Sequence, residues 1–202
     1  MKKIVVAIMV LTMMVSAIAA MAQTEKNFSI TPRLAVDFYL NKDTKDALKT
    51  SFGILADIDV ASLPVGFEIG FLKGHKTQDG YEYDYDEEEI VPVDLKSTVR
   101  QIPVLVTYKY PFSENFYAKI GAGVNFVRAK ADLSENYEYV EIDESVSKSK
   151  TQFSWLLGVG YNFSNNFSAE LAYRDSGKFK FDDDLDLNLK SGAVELNVGY
   201  TF

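Results

Sequence analysis

The last ten residues, Ala193-Val194-Glu195-Leu196-Asn197-Val198-Gly199-Tyr200-Thr201-Phe202, alternate strictly. From Val194 every second residue is apolar: Val194, Leu196, Val198, Tyr200 and Phe202. The interleaved residues are Ala193, Glu195, Asn197, Gly199 and Thr201. Successive side chains of a strand point to opposite faces, so this stretch has one greasy face and one small or polar face. A single strand of this kind fits any half-buried sheet, and repetition has to decide the fold.

The same alternation recurs along the chain. Ile30, Pro32, Leu34, Val36, Phe38 and Leu40 alternate with Thr31, Arg33, Ala35, Asp37 and Tyr39. Phe52 to Val60 repeats it around Gly53, Leu55, Asp57 and Asp59, and Val65 to Phe71 around Gly66, Glu68 and Gly70. Ile102 to Tyr110 interleaves Pro103, Leu105, Thr107 and Lys109, and Phe116 to Phe126 interleaves Tyr117, Lys119, Gly121, Gly123 and Asn125. Phe153 to Tyr161 does so around Ser154, Leu156, Gly158 and Gly160, and Phe167 to Tyr173 around Ser168, Glu170 and Ala172, with Arg174 next in phase. With the terminal stretch this predicts eight strands.

Charged residues make up 25% of the chain, yet none falls on the apolar faces of these strands. The other faces carry Arg33, Asp37, Asp57, Asp59, Glu68, Lys109, Lys119, Glu170, Arg174 and Glu195. A soluble lipocalin-like barrel would turn the greasy face inward. A transmembrane barrel inverts it, because a charge on the lipid face near mid-membrane costs about 2–4 kcal/mol while the lumen tolerates charge. The connections arbitrate. Links at one end are short (61–64, 111–115, 162–166), and links at the other are long (41–51, 72–101, 127–152, 174–192). Short turns on one side and long loops on the other match an outer-membrane barrel, with the turns periplasmic. Tyr110, Phe112, Phe116, Tyr161, Phe163, Phe167 and Phe202 gather at the turn end as an interfacial girdle.

The N-terminus supplies the route. Lys2 and Lys3 precede an apolar run from Ile4 to Val15, and Ala20-Met21-Ala22 is a small-residue cleavage pattern. Residues 1–22 read as a secretory signal peptide, with an uncleaved anchor as the alternative, and residues 23–202 as the barrel domain. Cleavage would leave 19 basic residues against 29 acidic ones, a net charge of −10. Such a balance argues against nucleic acid as a partner, since phosphate binding needs clustered Lys and Arg. The chain has no cysteine, which excludes disulfides, thiol catalysis and lipid attachment at an N-terminal cysteine.

Together these features resemble the small porin-like outer-membrane β-barrel proteins. The resemblance covers the whole mature chain. It rests on the eight amphipathic strands and on the segments Gln101-Ile102-Pro103-Val104-Leu105, Phe116-Tyr117-Ala118-Lys119-Ile120-Gly121-Ala122-Gly123 and Tyr200-Thr201-Phe202. It implies an all-β, eight-stranded antiparallel up-and-down barrel in contact with outer-membrane lipid. It also implies that Tyr200 and Phe202 serve as the signal read by the barrel-assembly machinery, with Asn197 standing where that group often has glycine.

Eight strands enclose a bore that side chains fill. The ten charged inward residues are therefore expected to form an internal ion-pair and hydrogen-bond network that plugs the lumen. A narrow polar path or gate is the alternative, and the inward glycines Gly66, Gly70, Gly121, Gly123, Gly158 and Gly160 either leave room for it or mark bends. Pro103 is expected to force a local bulge, and a phase slip between Leu189 and Val194 predicts another at Ser191-Gly192. No enzyme activity is expected. The single histidine, His75, lies in Lys73-Gly74-His75-Lys76 and reads as a solvated loop residue without a legible serine or acid partner. No cofactor or metal is implied, since Asp182-Asp183-Asp184 lacks the glycine and glutamate of a calcium loop. The stretches 81–89, 136–141 and 178–190 are acidic or tyrosine-rich, suit an extracellular ligand, and are candidates to extend the strands as hairpins above the membrane. The expected role is structural or surface-interacting, with a narrow porin-like channel as the alternative and a lipid-modifying enzyme as the distant one.

Overall fold

The computed structural model describes residues 28–48, 50–60, 64–84, 89–136, 141–163, 166–180 and 188–202. The segment read as a signal peptide, the aspartates 182–184 and the tips at 85–88 and 137–140 lie outside them. Within the described residues the chain forms β1 (Phe28–Tyr39), α1 (Lys42–Leu48), β2 (Thr50–Val60), β3 (Val65–Asp84), β4 (Glu89–Pro111), β5 (Phe116–Asn136), β6 (Glu141–Asn162), β7 (Phe167–Asp175), β8 (Lys178–Lys180), β9 (Asn188–Lys190) and β10 (Ala193–Tyr200).

β1 to β7 pair antiparallel in sequence order, and β10 pairs with both β7 and β1 to close an eight-stranded barrel. Closure follows from the alternation. With one face of every strand apolar and the other polar, a barrel leaves no edge unpaired and keeps the polar set inside. Leu34, Phe52, Ile54, Val106, Ile120, Leu157, Leu171, Leu196 and Val198 all lie on the outer surface. Ile30 departs from this pattern and is buried, next to the chain end, where the Phe202 N–H donates to the Ile30 carbonyl at 3.1 Å. The turn-side aromatics pack in two groups. Phe116 and Tyr161 are 4.7 Å apart, Tyr161 and Phe163 4.8 Å, and Tyr200 lies 5.0 Å from both Phe167 and Phe202.

Two of the long connections, 72–101 and 127–152, are mostly strand among the described residues. The β3–β4 ladder runs to Asp84↔Glu89, and β5–β6 to Asn136↔Glu141. β2 leaves β3 at Ser51↔Gly74, and β7 joins β6 only at Trp155↔Asp175. β3 to β6 therefore project beyond the barrel as a four-stranded sheet, the ten residues past Gly74 rising roughly 34 Å at strand pitch. His75 consequently sits in β3 rather than in a loop, bonded to Thr98 Oγ1 at 3.3 Å.

Two expected bulges take another form. The β3–β4 register is the same on either side of Pro103, with Ile69↔Val104 and Leu72↔Gln101, so no residue is inserted there. The proline has no N–H to donate, and the ladder simply lapses opposite Gly70 and Phe71. Near Ser191-Gly192 the slip is real, but the extra residue lies on the facing strand. Between Arg174↔Ala193 and Lys178↔Lys190, three residues (175–177) face two. Gly177 takes φ +79°, its N–H bonded to Asp175 Oδ1 at 2.7 Å, and β8–β9 turns off as a separate hairpin.

Arginine at Leu196 or Val198 is expected to lower stability in lipid vesicles by about 2–4 kcal/mol, as read by denaturant unfolding. A smaller loss than that produced by Leu196→Ala would contradict the lipid-facing assignment.

Candidate functional site

The alternation sends the charged residues inward, and the register then creates a problem for them. Lys109 faces Lys119 across β4–β5, Asp57 faces Glu68 across β2–β3, and Asp37 faces Glu195 across β1–β10. Like charges directly opposite one another destabilise a sheet. The barrel resolves this by pairing opposite charges across the bore.

Lys119 Nζ, fully buried, contacts Glu68 Oε2 at 2.6 Å, Asp57 Oδ1 at 3.0 Å and Glu170 Oε1 at 3.3 Å. Arg33 reaches Glu170 at 2.5 Å, Asp57 at 2.6 Å and the Tyr117 hydroxyl at 3.1 Å. Arg174 holds Glu68 at 2.6 Å and Glu195 at 2.8 Å. Lys109 bridges Asp57 at 2.8 Å and Asp59 at 2.6 Å, nearer the turn-side mouth, where Lys109 and Asp59 are partly exposed. Nine of the ten predicted residues thus form one connected network drawing on every barrel strand except β6. Asp37 is inside and buried but makes no ion pair among the described residues, and its Oδ1 has no hydrogen-bond partner there.

At the level of Lys119 and Tyr117, β6 contributes only Gly158 and Gly160. A Cβ on Gly160 would lie 2.1 Å from Cζ of Tyr117, and one on Gly70 of β3 would lie 2.2 Å from Leu55 Cδ2. At these two positions the inward glycine is filled by a neighbouring side chain, so it does not open the bore. Tyr117 is held there by donating to Glu170 Oε2 at 3.0 Å.

Sequence reasoning did not single out the layers toward the outer end. Above the ions lies a neutral polar layer. Gln101 Nε2 donates to the Tyr39 hydroxyl at 2.8 Å, and Tyr39 pairs with Ser51 Oγ at 2.6 Å. Asn125 Nδ2 donates to Gln101 Oε1 at 2.7 Å and to Ser176 Oγ at 2.9 Å, and Ser176 pairs with Ser154 at 2.8 Å. Over this sits α1, whose first bond runs from the Lys45 N–H to the Asn41 carbonyl at 2.9 Å. Thr44 and Leu48, one turn apart on the same face, are buried, and Leu48 clusters with Tyr39, Val99, Val127, Ala129 and Ala193. The space left beneath α1 is about 20 Å³, room for a single water. At the opposite end a vestibule of about 460 Å³ opens between Arg33, Asp59, Lys109, Tyr117, Ser168 and Thr201. Among the described residues no group of three or more His, Asp or Glu side chains could hold a metal.

The chain belongs to the outer membrane protein beta-barrel domain family, whose model matches residues 7–202. It is an outer-membrane β-barrel protein, and the strand faces place it in the bilayer accordingly. No curated protein sequence matches it. Among solved structures it is similar to a major outer membrane protein from Thermus thermophilus, at 14% identity and TM-score 0.54, covering 87% of this chain and 99% of that one. It is also similar to Ail, the attachment invasion locus protein of Yersinia pestis, solved in complex with the heparin analogue sucrose octasulfate, at 18% identity and TM-score 0.50, covering 87% and 97%. Both likenesses concern the fold.

Removing one partner of a buried ion cluster leaves uncompensated charge, a loss of about 3–5 kcal/mol. Lys119→Met is expected to lose that much in denaturant unfolding. Lys109→Met, at the wetter mouth, is expected to lose about 1 kcal/mol or less. Equal losses would contradict the ranking of the two lysines.

Proposed function

We propose that this outer-membrane barrel is a structural and surface-interaction protein whose lumen is closed and whose projecting β3–β6 sheet is its working surface. The observation that carries this reading is the stacking of α1, the neutral polar layer and the ion network along one bore. A solute would have to displace all three in turn. Displacing Lys119 alone would expose three carboxylates to each other, and the network has no small-residue channel beside it at Tyr117 or Leu55.

The sheet formed by β3 to β6 rises well beyond the barrel, so Tyr81 to Asp84 at the end of β3 and Glu89 at the start of β4 are carried outward, where an extracellular ligand would meet them first. Ail, of the same fold, has been solved with a heparin analogue, and this chain is proposed to use its own exterior to engage an extracellular partner. Tyr200 and Phe202, packed against each other at the turn side, are proposed as the signal for the barrel-assembly machinery. An enzymatic reading has less support. His75 bonds the hydroxyls of Thr98 and Thr77 and no carboxylate among the described residues, so nothing there orients it as a base for a nucleophile.

Purified protein in planar bilayers is expected to give no stable unitary current. Reproducible single-channel steps would overturn the closed-lumen reading in favour of a narrow porin.

A further inference from the structure

The outward face of the barrel changes character abruptly above its apolar band. On neighbouring strands Ile54, Phe71, Ile102 and Phe126 lie at one level, all exposed to the bilayer. One side-chain step further out, Lys73 pairs in register with Arg100, and Arg100 with Arg128. All three are exposed. Above them come His75, Thr98 and Lys130, and the first acid on this face is Asp132, which is already paired to Lys130. Lys73, Arg100 and Arg128 make no ion pair among the described residues.

Three cations side by side across three strands, with Cβ atoms about 5 Å apart, repel one another in water. The arrangement is the more unusual in a chain carrying 29 acidic residues against 21 basic ones. It makes physical sense if anions occupy the face. The position names their source, because the row adjoins residues that contact lipid tails and lies on the side away from the periplasmic turns. That is the level of the outer-leaflet headgroups. Arginine presents a planar fork that matches phosphate oxygens bidentately, and lysine adds a flexible point charge.

We propose that Lys73, Arg100 and Arg128, lying in register across β3, β4 and β5 directly above the apolar band, form a binding site for the phosphate groups of outer-leaflet lipid. The site rests on the outer-membrane placement and is independent of whether the lumen is closed. It fixes one side of the barrel to a phosphorylated lipid and sets the base of the projecting sheet at the membrane surface.

The test uses the folded chain in phosphatidylcholine vesicles containing either diphosphoryl lipid A or its dephosphorylated form. Native protein is expected to melt at a higher temperature with the phosphorylated lipid, and the difference is expected to shrink as salt is raised. The variant Lys73→Gln/Arg100→Gln/Arg128→Gln is expected to lose the difference while melting no lower than native in phosphatidylcholine alone. Lys42→Gln/Lys45→Gln, which removes two exposed cations from α1, is expected to keep it. The proposal is overturned if native protein melts alike in both lipids, a comparison that needs no variant to fold. It is also overturned if the triple variant keeps the difference, or if the α1 variant loses it equally. A rise reproduced by inorganic phosphate or sucrose octasulfate added to phosphatidylcholine vesicles would assign the site to soluble anions instead of lipid.

Discussion

A single ammonium group held by three carboxylates organises the interior of this barrel. Lys119 Nζ sits among Asp57, Glu68 and Glu170, on three different strands, none of which neighbours β5 in the sheet. Sheet hydrogen bonds fix only adjacent strands. Among the fully buried charges, the contacts that tie opposite walls together run through Lys119, Arg33 and Arg174. Each carboxylate is shared between cations: Asp57 by Lys119, Arg33 and Lys109, Glu68 by Lys119 and Arg174, Glu170 by Lys119 and Arg33. Removing Lys119, Arg33 or Arg174, all buried, leaves the rest unbalanced in a medium that screens poorly.

The charged interior and the apolar exterior are two consequences of one constraint. A strand in lipid must satisfy every backbone group, and closure does so. Closure in turn commits alternate side chains to the narrow bore of an eight-stranded barrel, so the buried polar set must neutralise itself. The ends of the bore then differ. The turn end keeps a vestibule where Lys109 and Asp59 remain partly wet, and the outer end is covered by Leu48 of α1 over an uncharged layer.

How much of this was legible in sequence depends on the range of the interaction. The period-two pattern is local, so it revealed the eight strands, their inner and outer faces and the inward placement of all ten charged residues. Partners across the bore depend on the stagger of the whole barrel, so Lys119–Glu170 and Arg33–Tyr117 could not be read from spacing. α1 was missed because Lys42–Leu48 spans two turns, with Thr44 and Leu48 turned inward, too little for a helical period to stand out. Gln101, Asn125 and Ser154 were visible as inward residues, but nothing local marked them as one layer. Pro103 and the phase slip near Ser191-Gly192 show the opposite limit: each irregularity is recognisable locally, and only the pairing register shows whether, and on which strand, a residue is inserted.

We propose that the bore is sealed between its outer cap and its inner vestibule. The chain has no native cysteine, so single cysteines report access directly. Labelling by a membrane-impermeant thiol reagent, applied separately from each side of intact vesicles, tests it for Asn162→Cys in the vestibule and Ser154→Cys between the cap and the ion network. The account predicts that the first reacts from the periplasmic side only and the second from neither. Labelling at position 154 from either side, with the fold intact, would contradict it.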